Sequence, residues 1–589
     1  MSATAAREDR PIRPPNDRGA RLSRQVRRNG PLVLIVALLV GVGTITVLGD
    51  DAQPAPAGTD ADGPGPGAPG APDPTGRMPV TYAEAEEAGT VDDLDWGSRC
   101  DPETGRVRVP SVYAGPCVPA FEGDNGGATT IGVTAGRITV VRYVPATVSA
   151  LDALIPDRAN DSQADLSKTL RDYLEIWSSR AELYGREIEL VDFEASGPGD
   201  DVVAARADAT QIATELEPFA VIGGPALDDG AFAAELTSHG IVCVECAGAI
   251  SEEMADEMEP YVWGSLPTAE QFLLHLGAWS EALGETFEDD RAGYAGSEEL
   301  RTQARRIGVI HFDQDPPIFA VPKDKIPEGI DMVESYILDF STMPQKATEL
   351  MARYKAAGIT TVVFLGDPLM PIYLTGEATE QGYFPEWVFT GTALTDTNLF
   401  GRQYDQGQMA HATGISQLPV PTTDAVQPAV RLYRWWFGGD DTMPPARGLY
   451  AAQEAAARFL VNGIQMAGPD LTGETFARGQ FRIPPTGGGP TTPQVSYGNW
   501  GFFPSTDYAG IDDSVEIWWD ATVEAPDETG AVGKGVWRRS HGGQRFLGED
   551  DVPTPAPFDA GDSVTVADEL TPEDTPPDYP PPAGSPAAP

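Results

Sequence analysis

The chain has 589 residues, with 40 Lys and Arg against 89 Asp and Glu, a formal net charge of −49. That balance excludes a nucleic-acid binder, which needs a basic footprint to displace counterions from phosphate, and wholesale adsorption to an anionic membrane. A hydrophobic content of 41% supplies a large core, and 4 cysteines are too few for a disulfide-built scaffold or a Cys-rich metal fold.

Residues 1–30 carry eight arginines, from Arg7 to Arg28, opposed only by Glu8, Asp9 and Asp17. Residues 31–49, PLVLIVALLVGVGTITVLG, are uncharged and are followed by Asp50 and Asp51. An apolar run of this length crosses a hydrocarbon core of about 30 Å as a helix. With the arginines before it, the positive-inside rule puts 1–30 in the cytoplasm and all that follows outside. A cleaved signal peptide is the rival reading, but its apolar region is usually shorter and ends at a small-x-small site. The expectation is a single-pass anchor in the cell membrane with an extracytoplasmic main domain.

Residues 50–95 begin with a Pro-, Gly-, Ala- and Asp-rich stretch that reads as a linker. Cys100 and Cys117 bracket a Pro- and Gly-containing segment and are expected to pair. Residues 129–134, TTIGVT, read as the first short β-rich run. Leu166, Leu170, Tyr173, Leu174, Trp177 and Ala181 recur at helical spacing, and Gly185 stops that helix. Strands are expected at 188–193, 219–222 and 241–244, with helices at 201–216, 229–238 and 268–283, the last entered from 261–264. The rhythm restarts with strands at 307–312, 332–340, 360–365 and 386–389, and a helix at 345–357 ended by Gly358. A last helix spans 449–466, and strands at 515–519 and 535–539 read as an antiparallel addition. After Arg545 there is no Lys or Arg, and 548–589 reads as a disordered acidic, Pro-rich tail. Repeated β-α units in two rounds predict two α/β lobes with parallel sheets.

No Walker, HExxH, GxSxG or dinucleotide fingerprint occurs, and the 5 histidines are scattered with no two at metal-ligand spacing. Nothing points to an enzyme, a metal or a cofactor. Cys243 and Cys246 form a CxxC. Redox chemistry would need an exposed thiol of low pKa, generally at a helix N-terminus; a structural disulfide suits an apolar strand end in an extracytoplasmic compartment. Ligands of open α/β sheets bind outside the carboxyl ends of the strands. Gly223, Gly224, Ala247, Gly248, Asp313, Gly366, Asp367 and Thr390 follow expected strands and are the candidate ligand residues. Each has a plainer reading: glycine after a strand is ordinary turn chemistry, and Asp367 can cap the next helix.

Residues about 128–547 resemble the type I periplasmic-binding-protein (Venus flytrap) fold, specifically the branched-chain amino-acid type substrate-binding proteins of ABC transporters. The resemblance rests on the order of TTIGVT at 129–134, FAVIGGP at 219–225, HGIVCV at 239–244, PYVWGSLPTAEQ at 260–271, VVFLGDP at 362–368, EWVFTGTAL at 386–394 and the helix opening at Tyr450. It implies two α/β lobes closing on a small ligand, with lobe 1 at 96–264 and 419–480, lobe 2 at 265–418 and 481–547, and Tyr450 added to the ligand set. It also implies a permease in the same membrane as partner. The family's α-amino-acid binders place Ser or Thr just after the third and fourth strands, where this chain has Gly224-Pro225-Ala226-Leu227 and Cys246-Ala247-Gly248-Ala249. The expected function is a membrane-anchored solute-binding protein of an ABC-type importer, taking a small polar ligand such as an amino acid or amide. The alternative is an extracytoplasmic sensor or protein-interaction module of the same fold.

Overall fold

The computed structural model describes residues 78–145, 161–199, 201–225, 230–247, 251–286, 290–313, 330–339, 341–528 and 530–588. The basic segment 1–30 and the apolar run 31–49 lie outside the described residues. Among the described residues no helix is long and apolar enough to cross a membrane.

Part of the expected linker is folded. Helix α1 (Tyr82–Ala88) has a complete capping box, with Thr81 and Glu84 satisfying each other's backbone N–H groups, and Gly89 ends it in the left-handed region. It leads to a two-stranded ladder of β1 (Cys100–Asp101) and β2 (Arg106–Val107), and the Cys100–Cys117 disulfide ties β1 to the segment beyond β2.

The first long strand is β3 (Arg137–Val144), eight residues after the start of the run expected to hold it. Residues 129–134 form turns and a single bridge, Val133 to Ile138. Gly132 sits at φ 70 against the backbone of Pro218 and Phe219, where a side chain would overlap. That tight approach breaks the run, and the β-branched residues of RITVVRYV form the strand instead. β3 is flanked by β4 (Glu187–Glu194) and β5 (Ala220–Ile222), followed by β6 (Val242–Val244) and β7 (Val262–Trp263), all parallel in the order β4-β3-β5-β6-β7. Successive side chains of a strand point to opposite faces. Ile138 and Val140 accordingly enter one core, with α2 (Gln163–Ser178), whereas Val141 and Tyr143 enter another, with α3 (Val202–Gln211), α4 (Ala231–Ser238) and, at its margin, α5 (Glu252–Met258).

The second sheet repeats this winding. β8 (Ile307–Phe312), β9 (Met332–Tyr336), β10 (Thr361–Leu365), β11 (Glu386–Phe389) and β12 (Ala412–Ser416) run parallel in the order β9-β8-β10-β11-β12. β13 (Ser514–Pro526) and β14 (Val532–Arg539) add antiparallel strands beyond β12, and β15 (Arg545–Phe546) pairs with β13. One face packs on α7 (Met343–Ala357) and α8 (Met370–Glu380), and the other on α6 (Ala269–Gly284). β9 ends at Tyr336, short of the expected 340. Both sheets share the doubly wound order second-first-third-fourth-fifth, which places a ligand crevice at their carboxyl edges.

The chain crosses between lobes after β7, after β12 and between Tyr508 and Ser514. The second crossing leads to α9 (Pro428–Phe437), α10 (Tyr450–Ala467) and α11 (Gly473–Phe481), whose apolar faces complete the first core. Phe481, Tyr497 and Tyr508 belong to that same core. The return to lobe 2 therefore comes about thirty residues later than expected, because the aromatic side chains of 481–508 pack around Trp263. Two crossings are hydrogen-bonded to each other, Gly264 N to Tyr508 O at 3.0 Å and Ile511 N to Ser265 O at 3.0 Å.

The acidic tail corrects a further expectation. Its described residues form no strand and only one short 3₁₀ turn (Glu549–Asp551), as its Pro content dictates. They are nevertheless pinned along the body. Val564 bridges Arg539 at the edge of lobe 2, and Ala567 pairs with Thr422 on the second crossing. The Asp574 carboxylate accepts from Thr491 N and Thr492 Oγ1, Tyr579 donates to Asp101, and Trp435 Nε1 donates to Tyr579 O. An extended Pro-rich backbone has few hydrogen bonds to satisfy, so a handful of side-chain anchors suffices to order it.

Candidate functional site

The carboxyl edges of the two sheets carry the candidate residues. Segments 146–160, 226–229, 248–250 and 314–329, which follow β3, β5, β6 and β8, lie outside the described residues, and Gly248 with them.

On lobe 1, Gly223 sits at φ 78 and donates its N–H to Val244 O at 2.9 Å. Gly224 lies against the backbone of Cys246 so closely that a Cβ would overlap its carbonyl oxygen. The ends of β5 and β6 are thus locked backbone to backbone, which only glycine permits. Ala247 is buried beside them. Cys243 and Cys246 are joined and both fully buried, so neither sulfur is the exposed thiol that redox chemistry requires. Between them Glu245 takes φ 57; burial raises its carboxyl pKa, and Ser265 on the first crossing hydrogen-bonds it.

On lobe 2, Asp313 and Asp367 meet at one residue that sequence reasoning missed, Tyr336, while Gly366 and Thr390 meet at another, Thr392. The Tyr336 carbonyl accepts from Asp313 N at 2.9 Å and its hydroxyl donates to the Asp367 carboxylate. The same hydroxyl accepts from Asp367 N at 3.1 Å. Asp367 Oδ1 also accepts from Leu369 N at 2.8 Å and Met370 N at 3.1 Å, capping α8. Burial pushes the Asp367 carboxyl up, against the pull of these donors, and pushes the Tyr336 phenol well up. Thr392 Oγ1 meets Gly366 N at 3.1 Å and Thr390 Oγ1 at 3.1 Å, and Thr390 in turn reaches Phe364 O at 3.2 Å. These groups hold the strand ends of lobe 2 together and spend their hydrogen bonds on one another. Asp367 acts as the helix cap that was its plainer reading.

The loop after Thr390 is the strained part of this edge. Gly391, Ala393 and Leu394 all have positive φ, at 78, 47 and 69. A side chain at φ > 0 costs energy that the surroundings must repay, and such strain concentrates at ligand clamps. The loop leaves Leu394 44% exposed. Beneath it Asp396 accepts from Ser416 Oγ, and its second oxygen is buried without a partner. Burial raises that carboxyl to about 6, with Arg539 opposing. Adjacent Thr and Asp residues in LTDTN offered only an ordinary turn signal.

Tyr450 is placed apart from the rest. Asp161 accepts the N–H groups of Arg447, Gly448 and Leu449, the latter two at 2.9 Å, and so fixes the entry to α10. Tyr450 is half-buried against the lobe 1 core, and Leu449 beside it is 50% exposed. At the crossings, Arg545 pairs with Asp513 at 2.8 Å and donates to Gln417 O at 2.9 Å, joining the second and third crossings. Among the described residues no group of three or more His, Cys, Asp or Glu side chains is placed to hold a metal ion.

No family model and no curated protein matches the chain. It is similar in structure to the R. palustris ABC-transporter solute-binding protein in complex with 4-hydroxybenzoate, at 14% identity over 71% of this chain and 98% of that one, TM-score 0.44. It is similar also to the fatty acid ABC transporter substrate-binding protein of Thermomonospora curvata (16% identity, 72% and 97% covered, TM-score 0.43). A third is the branched-chain amino acid transporter substrate-binding protein LivJ of Streptococcus pneumoniae in complex with isoleucine (14% identity, 68% and 99% covered, TM-score 0.42). These structures are type I solute-binding proteins of ABC transporters. At such scores the overlap is loose, and the two matching strand orders of the chain itself carry the fold.

Proposed function

We propose that the protein is an extracytoplasmic solute-binding protein, tethered by a helix at 31–49, that closes its two lobes on a small molecule and delivers it to an ABC permease in the same membrane. The observation that carries the reading is the pairing of two doubly wound sheets of the same strand order across hydrogen-bonded crossings, the arrangement that hinge closure around a ligand requires. The polar groups described at the lobe 2 edge are engaged with one another, while Leu394 on the same edge is exposed. These features favour a ligand of mixed polarity over an α-amino acid gripped by hydroxyls. A second reading, a sensor or interaction module of the same fold, is favoured by the tail, whose anchors on both lobes oppose wide hinge motion.

Thermal denaturation of the full chain with amino acids, amides, aromatic acids and sugars tests the first reading. A true ligand at about 100 times its Kd adds about 2.7 kcal/mol. No stabilisation by any compound, together with co-purification of a membrane protein other than a permease, would favour the second.

A further inference from the structure

Away from the interlobe crevice, a cavity of about 310 Å³ lies between the disulfide-tied segment, residues 485–487 and the tail. Its floor includes Val107, Val109 and Ala114, all buried in the lobe 1 core. Its roof is Glu573, Pro577 and Tyr579. The roof is fixed on both sides: Asp574 is held by Thr491, Thr492 and Thr571, and Tyr579 by Asp101 and Trp435. Thr104, Ser111 and Thr486 add polar groups to the wall.

One charged group stands out there. Arg106 lines the cavity and is held by two bonds from a single nitrogen, Nη1 to Val112 O and to Ala114 O, both 3.2 Å. Among the described residues it makes no ion pair, and Glu573 at the roof does not engage it. Burial lowers its guanidinium pKa with no carboxylate to oppose the effect. Four other inward arginines of this acidic chain, Arg305, Arg402, Arg538 and Arg545, each sit on a carboxylate, whereas the buried Arg539 donates to the Trp537 carbonyl. A partly desolvated guanidinium without an anion is an incomplete pair, and its planar fork fits a carboxylate.

We propose that this cavity is a ligand site, distinct from the interlobe crevice, for a small organic monoanion: a carboxylate meeting Arg106 and an apolar body against Val112, Pro485 and Pro577 under the tail. The volume lies in the range of small-molecule pockets. It corresponds to about ten water-sized units at ~30 Å³ each, the bulk of a medium-chain carboxylate.

Octanoate is the probe, titrated by calorimetry into the full chain, with 1-octanol as the neutral control. The expected result is one saturable site per chain, with 1-octanol weaker by about tenfold or more, the share of a charge-assisted pair. Arg106→Gln weakens octanoate by about the same factor. Val112→Phe, which fills the cavity from its wall, removes binding, and Tyr450→Ala, at the start of α10 and outside this cavity, leaves it unchanged. The proposal is overturned if octanoate does not saturate, if Arg106→Gln and the parent chain bind it alike, or if Tyr450→Ala abolishes it. The proposed transport function survives any of these three results.

Discussion

Asp367 separates a ligand residue from a structural one, and the structure supplies the magnitude. Its side chain is 5% exposed and carries two tasks. It caps α8 through Leu369 N and Met370 N, and it accepts the buried Tyr336 hydroxyl. Replacing it by alanine removes a cap, about 1 kcal/mol, and leaves a buried phenol without its acceptor, about 1–3 kcal/mol. Asp367→Ala should therefore lower stability by about 2–4 kcal/mol. Asp367→Asn retains an acceptor for the two N–H groups and should cost about half of that, chiefly in the bond to Tyr336. Urea denaturation followed by tryptophan fluorescence measures both. The opposite pattern would refute the assignment: an unchanged midpoint for Asp367→Ala together with loss of stabilisation by an identified ligand.

Gly224→Ala should destabilise by about 1–3 kcal/mol, since its Cβ overlaps the Cys246 carbonyl and forces the ends of β5 and β6 apart; an unchanged melting temperature would show that this contact can relax. Asp574→Ala should free the tail, costing about 1–3 kcal/mol and opening the segment before Tyr579 to limited proteolysis; an unchanged cleavage pattern would mean the other anchors suffice. The third crossing should make stability pH-dependent. Burial pushes the Asp507 carboxyl up to about 7 and Asp512, which also faces Asp507, well above its usual value, among Glu252, Asp513 and Arg545. Where the folded pKa is raised, the native state holds protons that the unfolded chain, with carboxyls near pKa ~4, has released. That stability is fully present below about pH 4 and is lost as pH rises through about 7. Melting temperatures should accordingly fall between pH 5 and 8, and Asp507→Asn should flatten the slope; a parent chain with no slope there would contradict the raised values.

What the sequence determined by itself was the class of architecture and most of its elements. Short-range physics writes those: the heptad-like spacing of α2, Gly358 ending α7, Thr268 capping α6, and apolar runs at β8, β10 and β11. It misplaced β3 because Gly132 is pressed against Phe219, a contact nearly ninety residues distant. It also assigned 481–508 to the wrong lobe, since which core an aromatic segment joins depends on Trp263.

The tertiary structure alone decided what the strand-end residues do. Asp367, Thr390 and Gly366 occupy the positions where ligands bind, but Tyr336 and Thr392, placed there by the pairing of β9, β8, β10 and β11, engage them first. It decided the tail as well. Composition read 548–589 as disordered, yet order in an extended segment comes from a few anchors such as Asp574 and Tyr579, whose partners Thr491, Thr492 and Asp101 lie far away in sequence. Local pattern fixes which conformation a segment prefers; whether its polar groups are left for a ligand depends on neighbours that only the folded chain brings near.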